Sequence, residues 1–380
     1  MRPLLCAPFH ESILMIFAAS MNRRLRAGLA SALAIVFTLL AAPAGAATRA
    51  CLTECTPRIG IVSAFGEEAD ILIAETKGRR VYTINGKRFT TGTLRGNRVV
   101  IVLSGVSMIN STQVTQTMID HFKIERLVMS GIAGGLNPAN HVGDVTIPQR
   151  WAMPMEVYWN HDSTPPAACG KPGDVSCLGL QLATVDGKPV PPFTLPNGAG
   201  GEVPTGLFMR ENFVMNAANS PKGEFKFDYE VDPAMFAVAS RIQPVLARCG
   251  PKAVKSPGGE PDPKLCVAQQ PKVVLGGRGV SATVFLANPN YRTYLFEKLQ
   301  AQTFEMETAA LAHVAYSNGI PYIAFRSLSD LAGAEEFNTD VVALFASGLA
   351  ETNEAAVTLA FLEAWAKEPK AARKSAGGRP

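Results

Sequence analysis

Five acidic residues lie beside apolar segments that are typical of buried strands and their flanking helices. They are Glu67, Glu68, Glu305, Glu307 and Asp330. Carboxyl groups act as general acids and bases in catalysis. Ligands of open α/β sheets bind outside the carboxyl ends of the strands, and Ser104 lies at the end of a fourth strand. A single acid at such a place is usually a helix cap, but acids at three strand ends indicate a shared site.

Several common catalytic motifs are absent from the sequence. The five histidines form no HExxH motif, and the chain has no GxSxG or GxxxxGK[ST] motif. Residues 276–279 read GGRG, but no strong helix start follows at once, so they favour a turn over a phosphate-binding loop. We therefore expect no metal and no other cofactor, and the zinc-protease, α/β-hydrolase and P-loop classes lose their main support.

Strands and helices alternate along the sequence, which defines the elements that must position these acids. The predicted strands cover residues 58–66, 99–104, 126–130, 272–276 and 322–327, and the clearest predicted helices cover residues 110–122, 291–299 and 306–318. This alternation predicts a single α/β domain over residues 58–366, built on a largely parallel sheet.

The segment 151–271 interrupts that pattern and is predicted to be an insertion. Between residues 151 and 266 the chain has 16 of its 27 prolines, which repeatedly remove backbone hydrogen-bond donors. A helix-start pattern with Pro233 in the first turn predicts one helix inside the insertion, running to about Ala247. The basic tail 367–380 is predicted to be disordered.

The two ends of the chain carry its excess positive charge. Residues 1–46 carry four Arg and one Glu, and residues 367–380 carry five Lys or Arg and one Glu. Because the formal net charge is +4, the body between them is about −3, and nucleic-acid binding is not expected.

A signal peptide is the predicted function of the first 46 residues. From Met21 onward a basic segment precedes an apolar run and the small residues Ala44-Gly45-Ala46. We predict translation from Met21, cleavage after Ala46, a periplasmic or secreted protein, and no membrane attachment after cleavage. A membrane anchor is the alternative, and it needs about 20 apolar residues.

Six cysteines follow the predicted cleavage site, an even number that suits disulfides in an exported chain. Short loops favour the pairs Cys169–Cys177 and Cys249–Cys266, with Cys51–Cys55 less secure because its loop is tight. A zinc site is the alternative, although no His lies at ligand spacing from these cysteines.

Five segments together resemble a known family. They read IGIVSAFGEEA from Ile59, LSGVSMINST from Leu103, SGIAGGLNPANHVGDVT from Ser130, FEMETAALAHVAYS from Phe304 and RSLSDLAG from Arg326. This combination resembles the purine nucleoside phosphorylase and uridine phosphorylase superfamily, with most similarity to the 5′-methylthioadenosine/S-adenosylhomocysteine nucleosidases. The resemblance implies a three-layer phosphorylase/hydrolase-like fold, with a central mixed, mostly parallel twisted sheet flanked by helices. The Pro-rich, disulfide-bearing insertion is reminiscent of longer exported bacterial members and of plant bark storage proteins.

The resemblance also implies a reaction, the cleavage of the N-glycosidic bond of an adenine-type nucleoside. Asp330 matches the family's aspartate that protonates N7 of the base, and Glu68 matches the glutamate that deprotonates the attacking water. Glu307 would hold the ribose hydroxyls and favour positive charge developing on the sugar. The expected partners are therefore a nucleoside and water, and the resemblance favours a homodimer.

Other residues are assigned to substrate binding by the same resemblance. These are Ser104 and Met306 beside the ribose, Phe285 and Leu286 at the base, and Arg326 and Ser329 around Asp330. Without the resemblance, Phe285 is as readily a core aromatic residue and Met306 a packing residue. Ala282-Thr283 stand where the nucleosidases usually carry Gly-Asp, so the base preference stays open.

Two other functions compete with hydrolysis. A phosphorylase of the same superfamily needs cationic side chains for phosphate, but residues 63–68 and 104–122 contain no Lys or Arg. A non-catalytic binding or storage protein would not need the three acids, and all three are present. Hydrolysis is therefore the favoured function.

Overall fold

A computed structural model describes residues 51–154 and 212–369, apart from 218, 255–257 and 335–338, and short strands between 157 and 209. The described residues form one compact unit. The predicted signal peptide, the tail from residue 370 and the predicted pair Cys169–Cys177 lie outside the described residues. Within the described residues, no helix is both long enough and apolar enough to cross a membrane.

The elements are numbered in chain order. The strands of the main sheet are β1 (Glu54–Ser63), β2 (Lys77–Ile84), β3 (Lys87–Leu94), β4 (Asn97–Leu103), β5 (Phe122–Gly135), β6 (Val145–Ile147), β7 (Arg150–Ala152), β16 (Asp228–Glu230), β17 (Val273–Leu275), β18 (Arg278–Ser281), β19 (Ala301–Glu305) and β20 (Tyr322–Asp330). Smaller hairpins contain β8 (Val157–Trp159), β9 (Thr184–Val185), β10 (Lys188–Pro189), β11 (Phe193–Thr194), β12 (Glu202–Val203), β13 (Leu207–Met209), β14 (Asn212–Asn216) and β15 (Ser220–Lys226). The helices are α1 (Gly66–Glu75), α2 (Met108–His121), α3 (Pro233–Ala239), α4 (Pro289–Leu299), α5 (Thr308–Asn318), α6 (Thr339–Phe345) and α7 (Leu349–Lys367).

The main sheet is mixed, with a parallel centre. Its strands follow the order β16-β7-β18-β19-β5-β1-β4-β3-β2, and β20 lies beside β5 and β6. Strands β20, β5, β1 and β4 run parallel to their neighbours in this group, whereas the edge strands β2, β3 and β16 pair antiparallel. The predicted fold class is confirmed.

Helices cover both faces of the central strands, which makes three layers. Successive residues of a strand point to opposite faces, so a strand buried on both faces is apolar at every position. Ile61 of β1 packs in a core with Leu72 of α1 and Phe361 of α7. Its neighbour Val62 packs on the other face with Val114 of α2. Burial on both faces explains the uninterrupted apolar runs in the sequence.

Three predicted boundaries were wrong. The helix expected to run to about Ala247 ends at Ala239, because Pro244 follows and the chain turns away after Ser240. The strand expected over 322–327 continues to Asp330, so this acid is the last residue of β20 and does not follow the strand. Strand β5 is also longer than the predicted 126–130, because its end pairs with β19.

The segment 151–271 contributes two strands to one side of the main sheet. Strands β7 and β16 pair with each other, and β7 also pairs with β18. Two predicted disulfides are present, Cys51–Cys55 and Cys249–Cys266. The second closes a loop that packs against the turn at Ser347, where the backbone N–H of Lys252 donates to the Ser347 carbonyl at 3.2 Å.

Candidate active site

A pocket of about 280 Å³ lies at the carboxyl ends of β1, β5, β19 and β20. Its lining includes seven residues that the sequence had assigned to a site: Glu68, Phe285, Leu286, Met306, Glu307, Ser329 and Asp330. Glu305 lines it as well, but Glu67 does not: Glu67 is exposed and pairs with Lys252 at 3.4 Å between Oε1 and Nζ. The acids that converge therefore come from three different segments of the chain.

Glu68 is held by backbone donors from two elements. It lies in the first turn of α1 and its Oε2 accepts hydrogen bonds from the backbone N–H of Ala64 at 2.5 Å and of Phe65 at 3.3 Å. Its Oε1 accepts from the backbone N–H of Ile132 in β5 at 2.9 Å. Burial raises the pKa of Glu68, while Arg326 and these backbone donors act in the opposite direction. The carboxyl is thus fixed in place and made more basic than an exposed glutamate.

Arg326 contacts three of the carboxylates that line the pocket. This fully buried guanidinium forms an ion pair with Glu305, and its Nη2 lies 3.4 Å from Oε2 of Glu307. Its Nη1 lies 3.7 Å from Oε1 of Glu68 and donates to the carbonyl of Ile132 at 3.1 Å. The expectation that Arg326 positions Asp330 was wrong, because the guanidinium is directed at three glutamates and at Thr308.

Glu305 has a structural position that the sequence did not reveal. Its carboxylate accepts from the backbone N–H of Glu307 at 2.9 Å and of Thr308, and so caps the start of α5. The hydroxyl of Ser281 and the guanidinium of Arg326 also donate to it. A carboxylate with this many donors is a support for α5 and Arg326 rather than a free acid.

Glu307 projects into the pocket from the residue that precedes α5. Its Oε1 accepts from the backbone N–H of Ser107 at 2.8 Å. Ser107 has a φ of 95°, which is rare for a residue other than glycine and is often found at functional sites. Burial and the nearby charge of Glu305 raise the pKa of Glu307 to about 8. The Glu307 carboxyl group therefore keeps its proton to a higher pH than an exposed glutamate does.

Asp330 ends β20 on another side of the pocket. Its Oδ2 accepts from the hydroxyl of Ser329 at 3.0 Å, and its Oδ1 accepts from the backbone N–H of Ala332 at 2.8 Å. Ser329 therefore positions Asp330, as the sequence analysis expected. Burial raises the pKa of Asp330 and outweighs these two donors. A carboxyl group of this kind keeps its proton to a higher pH and can donate it to a ligand.

The remaining predicted residues divide into two groups. Phe285, Leu286 and Met306 give the pocket apolar walls, and the Phe285 side chain is 58% exposed at its mouth. Ser104 is fully buried, and its hydroxyl donates to the carbonyls of Ser63 at 3.3 Å and Gly105 at 2.7 Å. Ser104 is not among the lining residues, and its expected place beside a ribose stays a prediction.

The sequence analysis did not identify a second layer of polar residues, which lies behind the pocket. Glu354 of α7 is fully buried and accepts hydrogen bonds from the hydroxyls of Ser130 and Thr358. Burial and the charge of Glu68 raise the pKa of Glu354 well above its usual value. The acids at 351 and 354, in the first two turns of a long helix rich in alanine and leucine, were the available signal. Among the described residues, no cluster of three His, Cys, Asp or Glu side chains is suited to a metal ion.

The pocket can therefore carry out acid–base chemistry on a ligand that has both an apolar and a polar part. Asp330, whose carboxyl group keeps its proton to a higher pH than an exposed aspartate, and Glu68, whose carboxyl group is fixed by three backbone donors, line the same cavity. Glu307 adds a third carboxyl that can accept hydrogen bonds once it is ionised.

Comparison with known proteins identifies relatives of this chain. Curated relatives include 5′-methylthioadenosine/S-adenosylhomocysteine nucleosidases of Bacillus thuringiensis (strain Al Hakam), 24% identical, and Bacillus cereus (strain ATCC 14579), 25% identical. Each match extends over 279 residues, or 73% of this chain and 87% of the relative.

Solved structures show the same fold. The nucleosidase of S. pneumoniae with the transition-state inhibitor MT-ImmA matches 82% of this chain and 100% of its own, with a TM-score of 0.52 and 21% identity. The nucleosidase of Colwellia psychrerythraea 34H in complex with adenine matches 82% of this chain and 96% of its own, with a TM-score of 0.51 and 18% identity. A sequence model of the phosphorylase superfamily matches residues 58–363, and the chain therefore belongs to this superfamily.

Proposed function

We propose that this protein is an N-glycosyl hydrolase that releases the base from an adenine-type purine nucleoside. Candidate substrates are 5′-methylthioadenosine and S-adenosylhomocysteine, which occur in the names of the relatives. The observation that carries the proposal is the convergence of three buried carboxyl groups, Glu68, Glu307 and Asp330, on one pocket.

Asp330 supplies the proton that makes the base a good leaving group. A purine departs far more easily as a neutral molecule than as an anion, so N7 must gain a proton as the C1′–N9 bond breaks. The raised pKa of Asp330 keeps that proton available, and Ser329 together with the Ala332 N–H holds the carboxylate that is left. The general acid is thus poised before substrate binds.

Glu68 activates the water that replaces the base. One proton of the water passes to the Glu68 carboxylate while the water oxygen forms the new bond to C1′. The three backbone donors fix the direction of the carboxylate. The products are the free base and a pentose with a hydroxyl at C1′.

Glu307 holds the sugar through its hydroxyl groups. Hydrogen bonds from two ribose hydroxyls favour the ionised form of Glu307, and thus lower a pKa that is about 8 in the empty pocket. The ionised carboxylate also stabilises the positive charge that develops on the sugar. Substrate binding therefore converts Glu307 from a neutral acid to a carboxylate.

Water is favoured over phosphate as the acceptor because the described residues that line the pocket contain no Lys or Arg. Arg326 is the nearest buried cation, and it is already paired with glutamates. A phosphorylase would need free cationic donors to bind phosphate.

The test is incubation of the purified protein with a panel of nucleosides, with and without phosphate. Free adenine is measured by chromatography and the sugar product is identified by NMR. We expect free pentose at a rate that does not depend on phosphate. Pentose 1-phosphate, with a rate that saturates in phosphate, would establish phosphorolysis instead. No base release from any nucleoside would favour a binding or storage function.

We also propose that the protein is exported and forms a homo-oligomer, with a dimer favoured. The sequence features of residues 21–46 support export. Val106 at the pocket and Ile109 on α2 support association, because their side chains are 46% and 77% exposed. Light scattering after size-exclusion chromatography measures the mass directly, and a monomer at micromolar concentration would contradict association.

A further inference from the structure

A second cavity of about 320 Å³ shares Ser329 and Asp330 with the candidate active site. Val142, Leu331 and Leu344 give it apolar walls. Asp330 therefore lies between two cavities, and the residue is 7% exposed. Only the first of these cavities has a place in the proposed reaction.

The outer wall of the second cavity comes from the segment 266–269, which belongs to the insertion. The Cys249–Cys266 disulfide ties this segment to the preceding chain. The backbone N–H of Val267 donates to the carbonyl of Arg248 at 2.7 Å. The Arg248 guanidinium donates back to the carbonyls of Val267 at 3.1 Å and Ala268 at 2.9 Å. The wall is thus fixed by covalent and hydrogen bonds.

Purine geometry relates this cavity to the substrate. N7 and the exocyclic group on C6 lie on the same edge of the base. A carboxyl group that reaches N7 therefore also lies beside whatever C6 carries. If Asp330 protonates N7, a substituent on the 6-amino group extends past Asp330. The second cavity is the space that lies beside Asp330 outside the first pocket.

We propose that the second cavity binds a small alkyl group on the 6-amino nitrogen, so that the protein accepts N6-alkylated adenine nucleosides as substrates. This proposal rests on the proposed function, because it uses Asp330 as the group that meets N7. Apolar residues on the inner walls suit an alkyl group, and Gln269, which is exposed, closes the cavity from outside. The insertion then acts as a specificity element.

The experiment compares 5′-methylthioadenosine with its N6-propyl derivative by kcat/KM. Ala268→Trp fills the cavity from an exposed position, and Gln269→Trp does so from the next residue in case the first variant does not fold. Ala234→Trp, at an exposed position on α3, is the matched control. Thermal melting establishes that each variant is folded.

We expect wild type and Ala234→Trp to hydrolyse the two substrates within about tenfold of each other. In a folded cavity-filling variant, the kcat/KM of the propyl derivative divided by that of the parent compound should fall by about tenfold or more. This is the size of effect that one or a few methylenes have in a pocket. The proposed alkyl subsite would be overturned if the wild type hydrolysed only the parent compound. It would also be overturned if the kcat/KM of the propyl derivative relative to the parent compound were the same in wild type and all variants. Hydrolysis of neither compound would overturn the proposed function itself.

Discussion

Asp330 is the residue on which base release depends in the proposed reaction. We expect Asp330→Asn to reduce kcat by about 10²–10⁴-fold, because an amide cannot give up a proton to N7. The fold should survive, since an asparagine side chain can still accept a hydrogen bond from Ser329 or from the Ala332 N–H. Steady-state adenine release and thermal melting measure the two effects separately.

Asp70→Asn provides the control for that substitution. Asp70 is an exposed acid on α1, one turn from the active-site end of the helix. We expect it to leave both kcat and the melting temperature unchanged. Near-normal turnover of Asp330→Asn would remove Asp330 from the mechanism.

Glu307 should make the stability of the empty protein depend on pH. Its pKa is about 8 in the folded state against an ordinary value of 4.5, so the folded state binds more protons than the unfolded state between these values. The stability that Glu307 contributes is therefore complete below about pH 4.5 and is lost as the pH rises through 8. We expect the melting temperature to fall over this range.

Glu307→Gln should make that decline less steep, because glutamine carries no titrating proton. Part of the decline will persist, since burial also raises the pKa of Glu68, Asp330 and Glu354. Melting curves of both proteins at intervals from pH 5 to pH 9 provide the measurement. An identical pH slope in the variant would show that Glu307 is already ionised in the folded protein.

Among the elements, β5 leaves no room for a side chain at Gly131, beside two of the charged groups of the site. A Cβ atom on Gly131 would overlap Oε1 of Glu68 and Nη1 of Arg326. We expect Gly131→Ala to destabilise the fold by about 1–3 kcal/mol, the usual range for overpacking, and to lower kcat through displacement of Glu68. Denaturant unfolding and steady-state kinetics measure these changes.

Gly66→Ala is the matched control at the start of α1. The nearest atom to a Cβ there is 3.8 Å away, in the side chain of Asp70. This substitution should leave activity unchanged and should not destabilise the protein, because alanine is a better helix former than glycine. Equal effects of the two substitutions would mean that the contact with Glu68 does not matter.

At the scale of the whole molecule, the export proposal predicts a defined covalent structure. Protein recovered from the exported fraction should begin at Ala47 and contain three disulfides, because the mature chain has six cysteines. Intact mass before and after reduction tests this, since three disulfides correspond to six fewer hydrogens. A retained segment 1–46, or six free thiols, would contradict export into an oxidising compartment.

The elements of the central sheet were predictable because burial on both faces leaves a strong local signal. The strands that contain Ile61 and Phe325 appear in the sequence as uninterrupted apolar runs, and an acid at or near the end of each run is visible without a structure. Boundaries were less predictable. Strand β20 continues to Asp330 because pairing with β5 extends to Gly134, a contact that is distant in sequence.

The pairing of charged groups was not predictable, and it decided how the site is supported. Arg326 and Asp330 are four residues apart in the sequence, and the family resemblance implied that they act together. In the fold, Arg326 lies opposite Gly131 in the parallel pair β20–β5 and reaches the glutamates at 68, 305 and 307. Ser104 similarly bonds to the backbone of its neighbours rather than facing the pocket.

The sequence by itself determined the alternation of strands and helices, the places of the acids along the chain and two of the disulfides, because each depends on local composition or short spacing. The three-layer fold was implied by the family resemblance. Only the tertiary structure decided which carboxyl group meets which donor, how deeply each is buried and how far its pKa is raised. It also decided that residues 266–269 form a wall beside Asp330. These properties depend on distances between segments that lie far apart in the chain, and desolvation in particular is set by all of the neighbours of a group at once.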